Sequence, residues 1–165
     1  MKKTYIFLFL LLSVLSFSLF KYDSFSNDNF LDTKLSTKVD EKHYFSNGSY
    51  IVITLETLEF TELSNNNIIK GFKSATAYDS KDKILWEFHV FASFLLNEGI
   101  SSLVLETNYS YKINNNKWKF SNGESFHNNN VAEAKGIMKQ KVLFITTKTV
   151  DIHLKLTSDI YGNIT

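Results

Sequence analysis

Two short patterns in this chain have the residue types for proton transfer or metal binding: Glu87-x-His89 and Asp151-x-His153. Along an extended strand, residues i and i+2 point to the same side. Each pattern would therefore present a carboxylate and an imidazole together, opposite the apolar residues that flank them. Four such groups brought to one place could hold Zn²⁺ or a similar ion. A carboxylate that orients a histidine could also make it a general base. The same spacing describes the solvated outer faces of two amphipathic strands, and nothing in the sequence makes those strands neighbours.

Other chemistries are excluded by what is missing. The chain has no cysteine, which removes a thiolate nucleophile, a disulfide, a thiolate metal ligand and a lipidated cysteine. Every basic residue is lysine. Arginine's planar fork, the usual device for bidentate phosphate or carboxylate recognition, is absent. The segment SNGES does not complete G-x-S-x-G, and H-E-x-x-H, the phosphate-binding loop and G-x-G-x-x-G are missing too. A formal net charge of +1 is not that of an electrostatic nucleic-acid binder.

Two further groupings have a binding reading and a plainer one. Tyr109, Tyr111, Trp118 and Phe120 could form a stacking platform for sugars, or could pack a core and pair across strands. Lys112, Lys117 and Lys119 could meet a phosphate-bearing polymer or an anionic lipid, or could line a solvated strand face.

The elements that must position these residues are set by the pattern of the chain. It has 165 residues, 44% hydrophobic and 15% aromatic, which is enough material for one domain with a core. It opens with Lys2 and Lys3 and an apolar run from Thr4 to Phe20. This is the shape of a secretory signal, or of an uncleaved N-terminal anchor. The expected division is a signal or anchor over 1–26, a polar tether or loosely attached first strand over 27–48, and a β-domain over 49–165.

The apolar stretch Ile84–Leu96 fits a helical stripe and a strand alike. Its C-terminal neighbours decide between them. Asn97-Glu98-Gly99 is a turn, and from Leu103 to Ile113 apolar and polar residues alternate, with Val104 off the pattern. Two period-two runs around a short glycine turn predict a β-hairpin. The same period recurs in 49–60, 71–79, 117–121, 131–139 and 141–157, with asparagine clusters at 64–67, 114–116 and 127–130 as turns. The fold class expected is all-β, an antiparallel β-sandwich (immunoglobulin-like or related) of seven or eight strands.

Three segments, GFKSATAYDSKDKILWEFHVFASFLLNEGISS, NNKWKFSNGESFHNNNVAEAKG and VDIHLKLTSDIYGN, resemble a family of small exported proteins of clostridia and related Firmicutes that share a β-rich domain of unknown function. The resemblance covers residues 70–165 and rests on Trp86, Phe94, Gly99, Trp118, Ala132, Ala134 and Gly162. It implies a secreted β-sandwich and no activity. Many members carry two cysteines where this chain has Leu103 and Ser158.

The function expected is that of an exported, non-catalytic module, secreted or held at the cell surface. It would bind a protein, a cell-wall polymer or a host surface component. No catalytic residue, cofactor or nucleic-acid partner is expected, and membrane contact is expected only through the N-terminal segment. The alternative is a small metal-dependent hydrolase built on Glu87, His89, Asp151 and His153.

Overall fold

The computed structural model describes residues 34–59 and 67–165. The leader and the first part of the expected tether lie outside the described residues. Eight strands run in the order β1 (Lys34–Tyr44), β2 (Tyr50–Glu59), β3 (Ile68–Tyr78), β4 (Ile84–Asn97), β5 (Ser101–Ile113), β6 (Trp118–Asn128), β7 (Val131–Val142) and β8 (Ile145–Thr157). They form a five-stranded sheet in the order β1-β2-β3-β4-β5 and a three-stranded sheet in the order β6-β7-β8, antiparallel throughout. The described residues thus form an all-β sandwich of eight strands. Of the expected asparagine turns, 114–116 lies between β5 and β6, and 127–130 ends β6 and supplies 129–130 between β6 and β7, while 64–66 of the cluster at 64–67 lie outside the described residues.

Strand β4 anchors the core because its even residues are the largest buried set that any strand contributes. Trp86, Phe88, Val90, Ala92 and Phe94 all face inward and are buried. Opposite them, β7 contributes Ala132, Ala134 and Met138, and β8 contributes Ile152, Leu154 and Leu156. Small residues on β7 face bulky ones on β4, which lets two sheets interdigitate without voids. Gly136 extends this logic, because a Cβ there would run into the Phe120 and Phe88 rings.

The hairpin predicted at Gly99 is present, but its second strand takes a different register from the simple alternation. A bulge at Leu105 shifts the pairing, so that Ser93 pairs with Glu106 and Phe94 with Val104. A single extra residue turns the side chains beyond it to the other face. Val104, off pattern in the sequence, is buried at 9% exposure, whereas Leu103 and Leu105 point out at 47% and 49%.

Of the two readings of 27–48, residues 34–44 take that of a first strand, paired with β2 along its length. The three-stranded sheet packs over β3, β4 and β5, the core reaches Ile51 and Leu55 of β2, and the exposed β1 lies beyond its margin. No second layer covers the inner side of β1, so that side needs no apolar residues. It carries Lys38, Glu41 and His43, in register with Leu55, Ile53 and Ile51. Charges and a bulge at Asp40 also protect an edge strand from pairing with another chain. Lys73, an inward position of β3, reaches Asp40 at 3.0 Å, so the one lysine on the inner side of β3 has a countercharge.

Candidate functional site

The two carboxylate–histidine pairs take opposite sides of the molecule. On β4 the even residues fill the core, so Glu87 and His89 lie on the outer side of the five-stranded sheet. On β8 Ile152, Leu154 and Leu156 face inward, so Asp151 and His153 lie on the outer side of the three-stranded sheet. The whole core separates them. The four-ligand arrangement required by the hydrolase alternative is therefore not formed. Among the described residues no cluster of three or more His, Cys, Asp or Glu is placed to hold a metal ion.

Each pair is engaged locally. Glu87 accepts a hydrogen bond from Asn114 Nδ2 at 2.8 Å and has Lys112 Nζ at 4.0 Å. His89 Nε2 lies 3.9 Å from Glu87, too far for a hydrogen bond. The imidazole instead stacks on Phe72, with centroids 5.2 Å apart, and leans on Phe91 at 6.3 Å. Its Nδ1 is buried without a partner. Desolvation holds the His89 pKa below its ordinary value, and Lys112 adds to this, while Glu87 opposes it. On the other side, His153 Nε2 contacts Glu133 of β7 at 2.5 Å, not Asp151. Sequence spacing misses Glu133 because this partner sits across the β7–β8 ladder, where Lys135 stands opposite His153.

The aromatic group divides between core and surface. Trp118 is buried against Trp86, and Phe120 lies between Tyr111, at 4.0 Å, and Phe88, at 5.7 Å. Tyr109 packs on both phenyl rings. Of the four, Tyr111 alone is largely exposed, so no flat platform is left for a sugar.

What the outer side of the five-stranded sheet does offer is a set of rows fixed by register. Ile68, Leu95 and Leu103 stand in one row, then Lys70, Ser93 and Glu106, then Phe72, Phe91 and Asn108. Phe72 and Phe91 stack at 5.0 Å, and Phe91, Leu95 and Leu103 are exposed. Two apolar rows thus flank a polar one. Leu103 could not be assigned to this surface from the sequence, because the bulge that turns it outward leaves no compositional mark.

Comparison of the chain with protein-family profiles, with curated proteins and with solved structures found no match.

Proposed function

We infer that the chain is an exported, non-catalytic β-sandwich module that binds a component of the cell surface or its surroundings. The observation that carries this reading is the exposed set Phe91, Leu95 and Leu103 on the outer side of the five-stranded sheet. A sheet face turned to water is ordinarily polar. Apolar rows around a polar one are the composition of a protein-binding face, where contact area comes from the apolar residues and register from the polar ones. The groups that could have done chemistry are split between two outer surfaces, and Glu87 and His153 are held by Asn114 and Glu133, which also supports a binding role. The Lys2–Lys3 start and the adjoining apolar run support export.

The test uses the full chain with a C-terminal tag in a Gram-positive host. The tagged chain is expected in the medium or at the cell surface. A photo-crosslinking residue at Leu95 is expected to capture a surface component, and Phe91→Lys with Leu103→Lys to abolish capture. A cytoplasmic chain would refute the export reading. Export with capture unchanged by the two lysines would refute the binding face.

A further inference from the structure

We propose that the tip of the β7–β8 hairpin is a membrane-insertion element that places Leu143 and Phe144 in an anionic lipid surface, with neighbouring lysines on the headgroups. The proposal does not depend on the export reading. It gives the chain a membrane contact separate from its N-terminal segment.

The first observation is the choice of turn residues. Val142 pairs with Ile145, so the loop has two residues, and both have positive φ, 48° at Leu143 and 71° at Phe144. That is the backbone of a type I′ turn, which favours Asn-Gly or Asp-Gly. Every other described residue with positive φ is Gly, Asn or Asp: Gly48, Asp82, Gly99, Asn122, Asn129 and Gly162. Among the described residues this backbone requirement is met conventionally six times and the rule is broken only here.

The second observation is that the fold gains nothing from the exception. Leu143 is 85% exposed and Phe144 98%. Val142 and Ile145 beside them are exposed as well. Four consecutive apolar residues therefore stand in water at a projecting tip, two of them in a backbone conformation that their side chains disfavour. Among the described residues neither packing nor turn geometry accounts for them, which points to a partner beyond those residues.

The third observation is charge, and it selects the partner. Lys139 and Lys141 precede the tip and Lys148 lies beyond it. Lys119 stands directly opposite Lys139, and Lys141 N donates to Lys117 O at 2.7 Å. Lys148 Nζ lies over the Phe45 ring, 3.4 Å from its centroid, which leaves four lysines, Lys117, Lys119, Lys139 and Lys141, near the base of the tip, and among the described residues none of the four is in an ion pair. The segments 111–123 and 134–150 contain no Asp or Glu. The near-zero charge of the whole chain hides a strongly positive end. The acids Asp79 and Asp82 at that end are in the β3–β4 turn with Lys81 and Lys83.

A bilayer fits these three facts and a protein groove does not. Strand residues rise ~3.3 Å each, so the lysines lie within roughly 10–13 Å of the tip. Interfacial elements bury their apolar side ~5–10 Å deep and keep lysines at headgroup level. A four-residue convex tip is also too small for the ~800 Å² that each partner contributes to a specific protein interface.

The chain has no cysteine, so one can be introduced for labelling. Ile145→Cys keeps Leu143 and Phe144, and Ile100→Cys, at the β4–β5 turn of the opposite end, is the control. The full chain carries an environment-sensitive fluorophore at either position and meets vesicles of phosphatidylcholine with or without phosphatidylglycerol. The expected result is a blue shift at position 145 with anionic vesicles, quenched by lipids spin-labelled near the headgroup, and none at position 100. Lys139→Glu with Lys141→Glu should raise the lipid needed at least tenfold. Leu143→Asn with Phe144→Gly, which suits the turn and so preserves the fold, should remove the shift. The proposal is overturned by an aqueous signal at position 145 with anionic vesicles, or by equal shifts at both positions. It is overturned equally by the same response to neutral vesicles, or by a shift without lipid that grows with protein concentration, which would indicate a second copy as partner.

Discussion

Trp86 of β4 and Trp118 of β6 meet edge to face between the two sheets, with ring centroids 6.0 Å apart and planes at 63°. Both are buried, and neither indole N–H has a hydrogen-bond partner. The pair therefore contributes through packing and ring geometry, against the cost of two unsatisfied donors. Truncation should expose that balance. Trp86→Ala is expected to cost ~3–5 kcal/mol, the usual loss for a large buried aromatic. Trp86→Phe should cost less than about 2 kcal/mol, because it loses less volume and also removes the orphan donor. Denaturant unfolding measures both, and a loss below ~1 kcal/mol for the alanine variant would place Trp86 outside the core.

Gly136 and Phe120 form a second dependence across the β6–β7 ladder. An alanine Cβ at position 136 would overlap the Phe120 ring. Gly136→Ala should then destabilise by ~1–3 kcal/mol, as overpacking does. In a Phe120→Leu background the same change should cost at least ~0.5 kcal/mol less, since neighbours that share space are not additive. Additive losses in a double-mutant cycle would mean that the ring is not what excludes the Cβ.

What the sequence makes legible and what it hides have physical causes in these same elements. Period two reveals a strand only where one side must be apolar. It therefore shows β4, whose inner side is buried along its length, and conceals β1, whose inner side no layer covers. Alternation also predicts that Glu87, His89, Asp151 and His153 face away from the core, which the burial of their flanking residues bears out. It carries nothing on strand order, and strand order is what sets the two pairs on opposite surfaces. The bulge at Leu105 and the turn at Leu143–Phe144 share a different cause. Turns are read from Gly, Asn and Asp, and the segment 141–157 reads as one unbroken β-rich run because its turn uses none of them.

His89 gives the fold a pH dependence whose direction can be stated. Desolvation holds its folded pKa below the ordinary 6.5, with Lys112 adding to the shift and Glu87 opposing it. Phe72, Phe91, Ser74 and Ser110 are its other neighbours, and none of them brings a charge. Protons bind the unfolded chain more readily at this site, so stability rises with pH through the window. The contribution is complete above pH 6.5 and is lost as pH falls through the folded value. Asp79 and Asp159 also have lowered values, from backbone N–H donors in their turns and from Asn163, but they start from 3.8 and act only in stronger acid. Unfolding at pH 7.5 and 5.5 should show a drop in the native chain that His89→Phe, which keeps the stack, reduces. An equal drop in both would locate the dependence elsewhere.

Leu143 and Phe144 should make the β7–β8 turn a place where stability is easily gained. A left-handed conformation costs an ordinary L-residue roughly 1–2 kcal/mol, and here two adjacent bulky residues adopt it. Asparagine tolerates that region and glycine occupies it without penalty, though glycine's greater freedom in the unfolded chain takes back ~0.5–1 kcal/mol. Neither Leu143 nor Phe144 buries a side chain in the fold, so their removal forfeits no core contact. Leu143→Asn with Phe144→Gly is therefore expected to stabilise the protein by ~1–2 kcal/mol. The midpoint of denaturant unfolding should rise with the slope unchanged, since the surface exposed on unfolding is nearly the same. Surface changes of this kind are usually neutral within ~0.5 kcal/mol, so a gain of that size would measure strain held in the turn itself. A loss of stability would mean that the two side chains hold the hairpin together in a way their exposure does not reveal.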